Sequence, residues 1–197
     1  IVPELLPDPE RGDAQLPEAR VDALELLFAR GRRKSSAGDG LEAWLLDAFA
    51  VARQEDWPAA PYSLLADGGK PDDAWWLRAD PVNLRADRDS VLLSDAALFE
   101  IAPDEAMTLA SHLNAHFAAA GMTFHPLRPD RWYAKVERAP AMTVPPLADV
   151  RGQSMLAAMP GGPEGRHWRS VLNEIQMLLH EHPVNLARET RGVPAVN

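Results

Sequence analysis

The sequence of 197 residues contains no cysteine, which excludes a disulfide framework, a thiolate metal site and a cysteine nucleophile. No apolar run approaches the ~20 residues that cross a bilayer. Basic residues are in deficit: 20 Lys and Arg stand against 29 Asp and Glu. The resulting net charge of -9 argues against broad binding to nucleic acid or an anionic membrane. Local basic clusters are still free to hold small anions. Internal repeats, G-x-G-x-x-G runs, Walker loops, G-x-S-x-G elbows and EF-hand loops are all missing. No signal peptide is recognisable, and Ile1 in place of Met is taken as a missing or processed start. The lack of cysteine suits a reducing cytoplasm, the expected compartment.

What is present describes a folded domain. Hydrophobic residues make up 46% of the chain, enough to bury a core. Eighteen prolines divide it into short elements and many loops, which excludes a simple helical bundle. One domain suits the length. The expected architecture is mixed α/β (α+β): a central sheet flanked by helices, with an inserted α+β segment at about Trp75 to Val136. Ile1–Leu6 and the Val193–Val196 run look like strands cut short, so the sheet is expected to be completed by residues beyond both ends.

Hydrophobic spacing and stop signals place the elements. A first helix is expected over Glu18–Arg30, closed by Gly31 and followed by the basic run Arg32, Arg33 and Lys34. That run suits either a phosphate grip or solvated cations beside a helix C-terminus. A second helix is expected over Leu41–Arg53, with Leu41, Trp44, Leu45, Ala48 and Phe49 inward. A short helix follows over Pro61–Ala66. Strands near Trp75–Ala79 and Ser90–Leu93 flank a charged turn. Pro103–Ala120 is the clearest amphipathic helix, with a core stripe of Ala106, Leu109, Ala110, Leu113 and Phe117. Strands at Met122–Pro126 and Arg131–Val136 alternate as a hairpin does. A short helix at Val150–Met159 is expected before the break at Pro160–Pro163. The last long helix covers Arg166–Glu181, with Trp168, Val171, Leu172, Ile175, Leu178 and Leu179 inward. Pro183–Arg191 forms a shorter one, stopped by Gly192.

Two polar constellations are candidate sites. Pro183 at a first helical position leaves the amides of Val184 and Asn185 unpaired, a natural anion seat. His180, His182, Asn185, Arg188 and Arg191 are spaced to surround it, or else to cap two helices and satisfy buried backbone. In the second constellation Arg78, Asp80, Arg85 and Asp87 alternate in sign, which suits a charged ligand or a self-neutralising network. His112 and His116 share a helix face at the spacing used for zinc, but the HExxH pattern and a third ligand are absent. No metal site is assigned there.

Two segments also carry a likeness to known proteins. Asp73–Asp89 and Asn173–Asn185 resemble signature stretches of the bacterial regulatory proteins of RpfE type. With the pattern between them, the likeness covers most of the chain. It implies a regulatory protein without catalysis of its own, whose partner is a small anionic or phosphorylated metabolite or another protein. Members of that family are often described as phosphoglycerate mutases. His182–Asn185, Arg188, Arg191–Gly192 and Pro194–Asn197 look like a stretch of the archaeal-type, cofactor-independent phosphoglycerate mutases. This fainter likeness implies an alternative, metal-dependent phosphoryl transfer with Mn or Zn on Asp and His ligands and a phosphoryl-carrying Ser. Ile1–Asp8 lacks the Asp-Gly that ends the first strand of those enzymes, so no cofactor is expected and the regulatory reading leads.

Overall fold

The computed structural model describes residues 26, 29–31, 40–54, 56–86, 91–96 and 99–197. Its helices are α1 (Gly40–Ala48), α2 (Ala59–Ala66), α3 (Pro103–Phe117), α4 (Leu147–Val150), α5 (Gly165–His180) and α6 (Pro183–Thr190). Its strands are β1 (Trp75–Arg78), β2 (Val82–Ala86), β3 (Val91–Asp95), β4 (Met122–Arg128) and β5 (Arg131–Val136). The fold is mixed α+β. Its strands form two antiparallel sheets, a three-stranded one in the order β1-β5-β4 and the hairpin β2-β3. None of the helices among the described residues is long and apolar enough to cross a membrane.

The three-stranded sheet and α3 build the core. Successive side chains on a strand point to opposite faces, so Trp132, Ala134 and Val136 of β5 turn to one side with Met122 and Phe124 of β4. All five are buried. Against them lie Ala106, Leu109, Ala110, Leu113 and Phe117, the stripe expected on α3 and buried as expected. Val171 and Leu179 of α5 and Val196 of the tail close the same cluster. Each fully buried Leu or Val contributes roughly 1.5–3 kcal/mol. Gly121, at φ +65°, stops the helical segment in the left-handed conformation that other residues avoid.

On the opposite face of β5, Tyr133 is fully buried, and its hydroxyl donates to Asp67 at the end of α2 (2.6 Å). Arg131 donates to the other oxygen of that carboxylate (2.7 Å). The free edge of β4 is closed by a side chain. Asn114 of α3 donates to the Phe124 carbonyl (3.0 Å) and accepts from the Phe124 amide (2.5 Å). An edge strand left unpaired invites pairing with other chains, and this amide removes part of the template.

Several expectations are corrected. The charged stretch after Trp75 is not one long turn. β1 pairs with β5, and β2 begins at Val82 and pairs with β3. Pro81 has no donor to continue β1, and the Val82–Leu84 alternation was obscured by the surrounding charge. α1 ends at Ala48, where the expected helix ran to Arg53. Its expected inner residues Leu41, Leu45, Ala48 and Phe49 are exposed, Phe49 at 80%, and Ala43 is the buried one. Apolar residues surround most of α1, so the helical period selects no single face. Val150–Met159 is not one helix. Its middle pairs with β3 instead, Gly152 donating to the Leu93 carbonyl (2.8 Å) and the Leu93 amide to Gln153 (3.1 Å). Of the first expected helix, Leu26, Ala29 and Arg30 are described and helical. The rest of it, with Arg32, Arg33 and Lys34, lies outside the described residues.

Replacing Asn114 by Ala leaves the Phe124 amide and carbonyl without their partner. Urea unfolding should show a loss of about 1–3 kcal/mol. A change within about 0.5 kcal/mol, the range of ordinary surface substitutions, would mean that the edge is not held this way.

Candidate functional site

The corner between α5, α6 and the C-terminal tail begins with a forced stop. Pro183 cannot continue α5, and it opens α6 as the first helical residue. His182 caps the new helix. Its Nδ1 accepts the Val184 amide (3.2 Å), so one of the two amides expected to seat an anion is already used. Accepting there requires Nδ1 to be unprotonated. The ring is 8% exposed and meets the edge of the His112 ring at 5.0 Å and 64°. Burial, and then the neighbouring charge of His112, hold the His182 pKa below the ordinary histidine value.

One turn on, Asn185 is 1% exposed. Its amide nitrogen donates to the carbonyls of Leu179 (2.8 Å) and Val196 (2.7 Å), and its oxygen accepts the Val196 amide (2.8 Å). Gly192, at φ +71°, turns the chain back beyond α6. The Val193 amide returns to the Arg188 carbonyl (3.0 Å), a Schellman closure. The tail then runs along β2. Val82 and Asn197 exchange both backbone hydrogen bonds (3.1 and 2.8 Å), and Asn83 donates to the Ala195 carbonyl (2.9 Å). The strand expected over Val193–Val196 is not formed: these residues are irregular, and the backbone pairing with β2 falls on Asn197, the residue after them.

Arg188 is the centre. A guanidinium that is 2% exposed must have its charge and donors met inside the protein. Nη1 pairs with Glu105, Nε donates to the Pro194 carbonyl (2.7 Å) and Nη2 to the Glu100 carbonyl (2.8 Å). Arg191 takes the second oxygen of Glu105 from the solvent side. The same carboxylate accepts the Ala102 amide at the start of α3 (3.2 Å), in the manner of a capping box. Burial acts to raise the Glu105 pKa, but Arg191, the Ala102 amide and Arg188 outweigh it and hold it below the usual carboxylate value.

Of the five residues expected at the anion corner, His182, Asn185, Arg188 and Arg191 are brought together, and they bind the chain's own backbone and Glu105. His180 is exposed at the end of α5. In the second constellation Arg78 pairs with Asp80, and Asp80 accepts the Trp132 amide (3.2 Å), bracing the exit of β1 against β5. Arg85 is exposed on β2, and Asp87 lies outside the described residues. The sequence reading missed Glu105 as the counter-ion of Arg188, because 83 positions separate the pair. Its visible signal was an acid in the first turn of α3. Asn83 and Asn185, from two distant parts of the chain, both grip the tail.

An open cleft of about 860 Å³ lies beside this clasp. Phe99, Ile101, Pro103, Pro129 and Val193 give it an apolar lining, and Arg128, Arg188 and Arg191 stand along it with Glu105 and Asp130. The two-metal chemistry implied by the mutase likeness needs clustered Asp and His ligands. Among the described residues no three His, Asp or Glu side chains are grouped to hold a metal ion. His112 faces His182, while His116 pairs with Glu174 (2.6 Å). These residues do not fit a metal. No protein-family model, curated protein or solved structure matches the chain.

Asn185→Ala removes three hydrogen bonds and leaves a buried amide unsatisfied, so urea unfolding should show a loss of about 1–3 kcal/mol or more. An unchanged midpoint would contradict the clasp. Glu105 contributes a pH dependence of known sign. Its folded pKa is depressed, so its stability is fully present above the unfolded value of 4.5 and is lost as pH falls through the folded one. Between pH 6 and 3, Glu105→Gln should flatten part of the fall in Tm, and an identical profile would remove Glu105 from the account.

Proposed function

We propose that the chain is a regulatory protein of RpfE type, without catalysis of its own, that binds a small anionic or phosphorylated metabolite in the cleft beside the clasp. The observation that carries this reading is the pair of arginines at the cleft. Arg188 is consumed in holding the tail, whereas the side chains of Arg191 and Arg128 are 57% and 52% exposed. Each is paired with one carboxylate, Glu105 and Asp130 respectively, and a phosphate or carboxylate competes for such a guanidinium through charge-assisted hydrogen bonds. The apolar lining suits a ligand with a short carbon body, and apolar walls with a few convergent polar groups are the usual form of a small-molecule site. The regulatory half of the reading is supported by the likeness of residues 73–89 and 173–185.

Thermal unfolding with 3-phosphoglycerate, inorganic phosphate, Mn and Zn, each alone, tests this reading. A ligand stabilises the state it binds, by about 2.7 kcal/mol at a hundredfold excess over Kd. The phosphorylated compound should raise Tm by several degrees in the wild type, and Arg128→Ala with Arg191→Ala should abolish the rise. A rise with Mn or Zn alone would favour the phosphoryl-transfer alternative. No rise with any of them would overturn the metabolite and leave a protein partner as the better account. His182→Ala and Arg188→Ala should lower stability by the same amount with and without phosphate, since both act on the fold.

A further inference from the structure

The two histidines facing each other at the start of α6 serve neither the core nor the cleft. His182 stands on the joint between α5 and α6, buried, with Nδ1 held as an acceptor by the Val184 amide (3.2 Å). His112 projects from α3 and lays its ring against it at 5.0 Å. A proton on Nδ1 turns the acceptor into a donor aimed at an N–H group. It also sets a second positive charge beside His112 whenever that ring is protonated. Three residues further on, the first turn of α6 carries Asn185, which pins Val196 by two hydrogen bonds. The next turn carries Arg188, which holds the Pro194 carbonyl. The cap and the tail are thus parts of one mechanical unit.

We infer that the His112–His182 pair is an acid-operated latch: protonating His182 withdraws the cap from α6 and frees the tail that Asn185 and Arg188 hold against β2. The surrounding charges leave this pair in control. On α3, Glu105 is committed to Arg188 and Arg191, and His116 to Glu174 of α5. His180, Glu181 and Glu189 are exposed. Among the described residues His112 is the group whose charge acts on His182, and it acts in the same direction as burial. The sign follows from linkage. A histidine held below its unfolded value of 6.5 contributes fully above that value, and its contribution is lost as pH falls through the folded one. The latch does not depend on any ligand in the cleft.

The test is a histidine NMR titration of the full chain from pH 8 to 5, with amide exchange followed at Val184, Val196 and Asn197. His182 should titrate below the ordinary value. Exchange at the three amides, corrected for its intrinsic pH dependence, should accelerate by up to about tenfold per pH unit across the window. His182→Asn keeps a capping oxygen that does not titrate, and should abolish the acceleration. His112→Ala leaves the cap in place and should reduce it. Titration of His182 at or above its ordinary value would overturn the proposal, as would acceleration that persists unchanged in both variants. The wild-type titration decides the matter even if His182→Asn fails to fold.

Discussion

A buried guanidinium fixes the corner on which this fold closes. Arg188 sits with 2% of its surface exposed, where an unpaired charge would cost several kcal/mol. It is tolerated because Glu105 and the carbonyls of Pro194 and Glu100 converge on it. Each partner comes from a different part of the chain: the start of α3, the loop before it, and the tail. One side chain thereby sets the position of three segments. Once the tail is drawn in, Val196 enters the core against α3 and α5, and Asn197 reaches β2. Held to β2 by Asn83 and Asn197 and to the core by Val196, the tail joins the hairpin to the main core.

The corner also shows how a run of donors can serve the protein itself. Amides at a helix start, two arginines, an asparagine and a histidine form a set that binds anions elsewhere. Here Val184 is capped, Asn185 is spent on Leu179 and Val196, and Arg188 is neutralised. What faces the cleft is the outer layer, Arg191 and Arg128. The ligand proposed for the cleft would meet a surface braced from behind, and affinity gains when the receiving groups are already held in place. The acid sensitivity of the His182 cap works on the same brace from the other side.

How much of this was legible depended on the range of the interaction. The α3 stripe from Ala106 to Phe117 was readable because a 3.6-residue period and a Pro103 start agree. The β4–β5 hairpin was readable because Trp132, Ala134 and Val136 alternate with Tyr133 and Lys135. The α5–α6 joint was readable from Pro183, and Gly192 marked its end. α1 was not, since its apolar residues surround the helix and give no direction. β2 was hidden by Arg85 and Asp87, whose charge resembles that of a turn. The gathering of His182, Asn185, Arg188 and Arg191 followed from helical spacing, but their acceptors did not. Glu105 and Asn83 stand 83 and 112 positions from the groups they bind, and no local pattern encodes such distances.

A double-mutant cycle on Arg188 and Glu105 tests the central claim most directly, with Arg188→Met, Glu105→Gln and the pair followed by urea unfolding. Glu105→Gln alone strands a buried charge and should cost about 3–5 kcal/mol. The double variant should lose less than the sum of the singles, giving a coupling of about 1–3 kcal/mol. Additivity within about 0.5 kcal/mol would mean that the two side chains do not depend on each other, and that Arg188 is not what closes the corner.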